Sequence, residues 1–408
     1  MIDNNINSWG NIYTIKTPDS KDVSFKTSVL DVGNLNSYGD CCIPKEAISS
    51  LNKKAITKMS VFEYQKNTQS YLFGTPGKSN VTLAGAIAAD THGKDNDWGG
   101  SFYKNVEEIT LSINGRDIVA NREINKELFN ATFGGYGLTG SITDIKFFNK
   151  SISLSGNYET TITTGKGLDS LISSFDTKRG QYWVAWVDLL SKNFNWVTKI
   201  SNPNNFKVNE LIEKRDVDFN VSLPFIGKNR FKILRMINFL YFKKHSYIKK
   251  ENKNFFETFY PLSFITDTRN ISSKRRIVQV QFSIPTNHED KLEQLLFKLI
   301  QKQKPILCSV KKMGKQEVLN NLSFYQEGWT FAVDFPYEEF NPEEVKLFYK
   351  ELIKYGGKIY LAKDSHLEER DFKLMYPEFM EWRNIVKEID PNKTYQSELS
   401  VRLGLKNW

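Results

Sequence analysis

Gly74-Thr-Pro-Gly-Lys-Ser-Asn-Val-Thr-Leu-Ala-Gly-Ala-Ile-Ala-Ala-Asp-Thr-His-Gly-Lys94 is the stretch on which the reading of this chain turns, together with Phe133-Gly-Gly-Tyr-Gly-Leu-Thr-Gly140 further on. Glycine permits positive φ and lets the backbone approach a ligand closely. Successive exposed N–H groups in such stretches form concavities that suit an anion such as a pyrophosphate. One glycine pair would mean no more than a tight turn. Two dense clusters, the first running into Asp90-Thr-His-Gly-Lys94, point to a binding surface. Neither is a Walker loop, because no Gly-Lys-Ser/Thr stands at the required spacing. Phe133–Gly140 is not a dinucleotide fingerprint either, since no G-x-G-x-x-G opens a helix there and a β-like segment follows.

Around these clusters the chain mixes strands and helices. Glu107–Ile113 and Ser141–Phe147 read as strands; Tyr158–Ile162, Gly167–Phe175 and Tyr182–Val187 read as strand, helix, strand. Three alternating strands follow, Arg276–Phe282, Ile306–Lys312 and Trp329–Phe335. An amphipathic helix, Glu289–Lys302, lies between the first two, with apolar residues at 292, 295, 296 and 299. A helix over Pro342–Tyr355 starts after the N-cap Asn341 and stops at Gly356-Gly357, and Lys358–Ala362 reads as a further strand. Residues 202–256 read as basic, aromatic and irregular. Without strict βαβ alternation, the predicted class is α+β.

A length of 408 residues suggests two or three domains, and 40% hydrophobic residues suffice for sizeable cores. No apolar run approaches the ~20 residues of a spanning helix. The N-terminus lacks the basic and apolar regions of a signal peptide. Three cysteines, two of them adjacent (Cys41, Cys42), make no disulfide framework and predict a reducing, cytoplasmic setting. Histidines at 92, 245, 288 and 366 are scattered, so no metal site is expected. The net charge of +9 suits nucleic acid, anionic lipid or a phosphorylated substrate. No nucleic-acid-binding motif accompanies it, so no nucleic-acid partner is expected. The excess is local. Phe225–Lys250 interleaves basic residues at 228, 230, 232, 235, 243, 244, 249 and 250 with large apolar ones. That is the composition of a segment lying on anionic lipid, or of a core helix with a solvated basic face.

Ser37-Tyr-Gly-Asp40, Val81–Lys94 and Ala131–Gly140 together resemble the FAD-binding segments of the vanillyl-alcohol-oxidase/PCMH flavoproteins. The nearest branch is the one that oxidises a polyprenyl-phosphate-linked pentose as the flavin subunit of a 2′-epimerase. The likeness continues in order through Phe259–Leu262, Val278–Pro285, Gly328–Pro336, Tyr355–Ser365, Met375–Trp382, Asp390-Pro391 and Arg402-Leu403. It implies a PCMH-type FAD-binding domain of two α+β subdomains over 1–165. A substrate domain built on an antiparallel sheet would occupy 166–345, and 346–408 would return to the FAD domain. The departures are local. The family's Arg-Gly-x-Gly-Arg before Ser-Tyr-Gly-Asp reads Asp31-Val-Gly-Asn-Leu-Asn36 here, the intervals 18–36 and 41–74 are short, and Ala84 replaces a glycine.

The resemblance also assigns residues. FAD contacts fall on Ser37, Tyr38, Gly39, Asp40, Gly77, Gly85, Ala86, His92, Gly93, Gly134, Gly135, Gly137, Thr139, Gly140, Ile142 and Tyr360. Catalysis falls on Lys363, His92 and Tyr260, and substrate contacts on Gln279, Gln281, Lys311, Thr330 and Trp186. Hydride transfer from a secondary alcohol needs a proton acceptor and positive charge beside the reduced cofactor; His92 and Lys363 are the respective candidates. Gln279 and Gln281 alternate onto one strand face and suit sugar hydroxyls. Trp186 either packs on the sugar or fills the core. Tyr38 stands where covalent members carry the cofactor-linking histidine, so the FAD is expected to be non-covalent. The implied reaction is oxidation at C2 of the pentose, the first half of an epimerisation that a short-chain NAD(P)H reductase partner completes at the inner membrane face. An aldonolactone or alditol oxidase on a free sugar and a degenerate non-catalytic relative are the alternatives.

Overall fold

The structure is a computed structural model that describes residues 5–11, 14–16, 28–48, 54–149, 152–177, 180–204, 229–261, 269, 272, 274–316 and 322–408. Near the first glycine cluster, α1 (Leu83–Ala88) is capped by Thr82, whose side chain accepts from Gly85 N. Strands β1 (Val106–Ile113), β2 (Arg116–Asn121) and β3 (Ser141–Phe147) form an antiparallel sheet in the order β2-β1-β3. Ile109 and Leu111 of β1 share a core with Ile87 of α1, Phe129 of α2 (Lys126–Thr132) and Phe133.

The second sheet is larger. It contains β4 (Asn157–Lys166), β5 (Tyr182–Asp188), β6 (Asn195–Asn204), β7 (Lys250–Asn254), β8 (Ile277–Pro285), β9 (Leu307–Met313), β10 (Gly328–Pro336) and β11 (Lys358–Ile359). The order is β7-β4-β6-β5-β9-β10-β8-β11, and every pairing is antiparallel. Its two faces differ because the strands alternate. Val280, Phe282, Ile284, Val310, Phe331 and Val333 bury one face against α3 (Leu168–Thr177), a helix over Leu292–Ile300 and another over Pro342–Lys354. Gln279, Gln281, Lys311 and Thr330 point to the other. On that polar face, toward β4 and β6, lies the helix α4 (Arg230–Tyr247), followed after β7 by a short helix over Phe255–Phe259.

The C-terminal segment lies against the N-terminal third. Val29 N donates to Thr394 O at 2.7 Å, Gln396 N to Val29 O at 3.0 Å, and Trp382 Nε1 to Ala131 O at 2.9 Å. Arg402 forms a bidentate ion pair with Asp40 (2.7 and 2.8 Å) and reaches Asp364 at 2.8 Å.

The molecule thus mixes α and β around a large antiparallel sheet, in keeping with the α+β expectation. Three local expectations change. The stretch 202–256, expected to be irregular, contains α4, β7 and a helix; residues 225–228 of the basic segment and Leu262 lie outside the described residues. The strand expected over 358–362 ends at Ile359, and Lys363 sits in the turn that follows, its N–H donating to Tyr360 O at 2.9 Å. Strand β4, which runs through Lys166, belongs wholly to the large sheet, so that sheet starts before the expected boundary at 165. Among the described residues no helix is long and apolar enough to cross a membrane, and no group of His, Cys, Asp and Glu is placed to hold a metal ion.

Candidate active site

The polar face of the large sheet and the glycine-rich segments enclose a cavity of about 770 Å³. The N-terminal part supplies the run from Asp31 to Tyr38, then Pro76–Lys78, positions along α1 including Gly85, and Thr91-His92. Tyr136, Gly137, Gly140 and Ile142 close one side. Gly137 (φ +77°) and Gly140 (φ +133°) hold conformations that L side chains rarely adopt. The sheet supplies Gln279 and Gln281 from β8, Ser309 and Lys311 from β9, and Thr330 and Ala332 from β10. Register puts them side by side: Gln281 and Ser309 both face Ala332, and Lys311 faces Thr330. Tyr360, Ala362 and Lys363 complete the wall.

Charge is arranged in two neighbouring groups. In the first, Gln281 Nε2 donates to His92 Nε2 at 2.7 Å and lies 3.2 Å from Thr330 Oγ1. With Nε2 accepting, the ring proton sits on Nδ1, which is buried and has no hydrogen-bond partner among the described residues. Burial, and then the charges of Lys311 and Lys363, push the His92 pKa well below the usual histidine range, so the ring is neutral at pH 7. Burial likewise lowers Lys311 to about 8, with Asp95 opposing. In the second group Lys363 Nζ lies 4.4 Å from the Tyr38 ring centroid, and Lys78 Nζ lies 3.4 Å from the Trp9 ring, which itself contacts Tyr38. Burial lowers Lys363 to about 8 against the pull of Asp334. Asp334 rises to about 6, chiefly by burial, although Gln279 Nε2 donates to its Oδ1 at 2.5 Å.

Among the described residues the lining therefore holds four lysines (Lys58, Lys78, Lys311, Lys363) against one carboxylate, Asp31. Such a cavity fits an anionic ligand. It also fits the cofactor that the resemblance implies: glycines stand where a backbone must come close, and Lys58 and Lys78 supply positive charge that the missing arginine-bearing motif does not.

Most of the expected residues converge here. Ser37, Tyr38, Gly77, Gly85, His92, Gly137, Gly140, Ile142, Tyr360, Lys363, Gln279, Gln281, Lys311 and Thr330 all line the cavity. Others do not line it. Gly39 is a packing glycine: a Cβ there would lie 1.5 Å from Asp364 O. Asp40 is consumed by Arg402. Gly93 N donates to Asn96 Oδ1 at 2.5 Å, Gly135 packs on Ala131 O, and Gly134 packs on the Leu322–Ser323 backbone. Ala86 belongs to the core, and Thr139 pairs with Thr132 at 3.1 Å. Tyr260, expected among the catalytic residues, also lies outside the lining. It is buried in an aromatic cluster with Phe62, Phe255 and Phe256. Trp186 shares the polar sheet face but packs edge-on against Tyr241 of α4 at 4.9 Å, outside the lining. Sequence reasoning missed Lys78, which lies inside the first glycine cluster and was legible there. It also missed Asp334, although that residue lies inside the Gly328–Pro336 match, and Lys58 and Trp9, which no motif marks.

No protein-family profile matches the chain. Over 370 residues it is 27% identical to the decaprenylphosphoryl-beta-D-ribose oxidase of Mycolicibacterium smegmatis, with 81% of this chain and 75% of that protein covered. Over 357 residues it is 24% identical to an uncharacterized protein in the mprA 5′ region of Streptomyces coelicolor, with 81% and 95% covered. The relation is therefore to an oxidase, at a distance.

Proposed function

We propose that the chain is an FAD-dependent oxidoreductase that oxidises a secondary alcohol of a sugar, C2 of a polyprenyl-phosphate-linked pentose, as the first half of an epimerisation. The observation that supports this most is the lining of the cavity, which among the described residues sets four lysines against one carboxylate around a neutral His92–Gln281 pair. The likeness to an oxidase named for a decaprenylphosphoryl ribose points the same way. The part before β4 would hold the FAD, the large sheet with its helices the substrate, and 346–408 would close onto the first part.

A flavin bound here supplies the hydride acceptor. The protein's own residues do the rest. Lys363 sets a positive charge that favours a reduced, anionic cofactor. Gln279, Gln281, Thr330 and Lys311 offer donors to sugar hydroxyls and phosphate. His92 Nε2, neutral and already accepting from Gln281, exchanges that donor for the substrate hydroxyl and takes its proton. Its depressed pKa makes it release the proton again readily. A short-chain NAD(P)H reductase would receive the 2-keto product, and the lipid tail implies a bilayer nearby.

Tyr38 in place of a linking histidine makes the FAD non-covalent. Purified protein should show a flavin absorption spectrum, and acid or heat should release the yellow chromophore into the supernatant. A chromophore that stays with the precipitated chain overturns the non-covalent assignment. A colourless protein that FAD cannot reconstitute overturns the flavin reading.

A further inference from the structure

Helix α4 turns much of its apolar surface outward. Phe231, Leu234 and Tyr241 pack inward, but the two residues that it buries most completely are polar. Asn238 Nδ2 donates to Asp188 Oδ1 at 2.7 Å, and His245 Nδ1 lies 2.9 Å from Tyr241 O. The residues that it turns to solvent are apolar. Met236 is 55% exposed, Ile237 40%, Phe239 51% and Leu240 57%. Lys232, Arg235, Lys243 and Lys244 are exposed on the same outward arc, with Lys243 Nζ 5.8 Å from the Phe239 ring. None of the 18 residues of the helix is acidic. Large side chains clustered in contact with water mark a surface that something covers. Long basic side chains among them can keep their charge in water while their stems lie along an apolar phase.

The helix also has a fixed relation to the cavity. Phe231 and Leu234, in its first turns, pack with Tyr38, Ile277 and Ile306, and Tyr38 lines the cavity. Arg230 pins that end to Glu338 (2.9 Å) and Glu339 (2.7 Å).

We propose that α4 docks the protein on an anionic lipid bilayer. Met236, Phe239 and Leu240 enter the interface, the four basic residues reach the headgroups, and the Tyr38 end of the cavity is held against the membrane. Charge complementarity selects this partner: a purely basic set of side chains interleaved with an apolar patch matches acidic headgroups above hydrocarbon. That docking brings the cavity to a lipid-borne substrate rests on the function proposed above; the docking surface itself does not.

The test is cosedimentation of the full chain with phosphatidylglycerol-containing vesicles and with pure phosphatidylcholine vesicles. The protein should pellet with the anionic vesicles at about 50 mM salt, and binding should fall several-fold at about 0.5 M. It should bind the neutral vesicles more weakly. Lys243→Gln with Lys244→Gln should lower anionic binding on the order of tenfold, because each basic residue near the surface contributes several-fold. Phe239→Ser with Leu240→Ser should lower binding to both vesicle types. An unchanged melting temperature shows that this loss is not misfolding; if the serine pair lowers it, Met236→Ser alone carries the test. Failure of the unsubstituted protein to bind anionic vesicles overturns the proposal, as does binding that survives both pairs of substitutions. A dimer that the serine pair dissociates, in a protein that ignores vesicles, gives the face to a second copy and also overturns it. The flavin reading is scored on the same samples by colour. A colourless protein that pellets refutes the flavin and keeps the docking, and a yellow protein left in the supernatant does the reverse.

Discussion

Lys363 carries two expectations that separate stability from chemistry. Its folded pKa of about 8 lies below the ordinary lysine value of 10.5, so between those pH values the unfolded chain binds the extra proton. The lysine therefore costs stability in full below about pH 8, and that cost disappears as the pH rises past the unfolded value. Lys363→Met should be more stable than the wild type at pH 7 in urea unfolding, with the gap closing toward about pH 10.5. A gap independent of pH would show that burial of the ammonium is not the cause. On the proposed function, the same variant should fold, bind flavin, and be reduced by substrate roughly a hundredfold more slowly in single turnover. Unchanged reduction would remove Lys363 from the chemistry. His92 differs in kind: it is neutral and half-satisfied, and the Gln281 amide that holds it also lines the cavity.

At the scale of elements, strands were easier to read than helix α4, and the reason is where each hides its apolar side. In β8 the alternation of Val278, Val280 and Phe282 with Gln279 and Gln281 maps directly onto a covered face and a cavity face. In α4 the inward side mixes Phe231, Leu234 and Tyr241 with the buried polar Asn238 and His245, while Met236, Phe239 and Leu240 face outward, so no clean inward apolar stripe stands out. The site was legible in the same uneven way. Many of the residues in motifs that follow a glycine cluster or a cavity-facing strand line the cavity. Asp40, Tyr260 and Trp186 do not, because a motif fixes order along the chain and not what a neighbouring Arg402, Phe62 or Tyr241 does to the side chain. The buried Asn238–Asp188 contact ties down the middle of α4. Asn238→Ala leaves the Asp188 carboxylate, already raised in pKa by burial, without that donor, at a cost of about 1–3 kcal/mol. Amide exchange over 230–247 should quicken while β8 and β10 stay protected. Uniform quickening across the chain would mean that the contact serves the whole fold instead.

For the whole molecule the decisive contact is Arg402, which joins Asp40 near the start of the chain to Asp364 beside the cavity wall. Arg402→Ala leaves both carboxylates buried without it, and breaking such a pair costs about 3–5 kcal/mol. Burial already raises the Asp40 pKa against the pull of Arg402. Without the guanidinium the rise is larger, so the folded form retains its proton to higher pH than the unfolded chain does. The deficit should therefore be small near about pH 4 and grow as pH increases toward neutrality. Chemical denaturation at acid and neutral pH checks this, and an equal deficit at both would assign the loss to packing alone.

The same contact sets a timetable. The turn at Ser37–Gly39 has its resting place on the backbone of Ala362–Asp364, where Tyr38 N donates to Ala362 O and Gly39 leaves no room for a side chain. At the roughly 5–20 residues per second of protein synthesis, that turn waits on the order of 15 to 65 s for its partner to be made. Until residues 362–364 have been made, that turn lacks the backbone on which it rests, although most of the residues that face the cavity are already present. The wall that Tyr360, Ala362 and Lys363 supply can therefore close the cavity only long after the glycine clusters have been made.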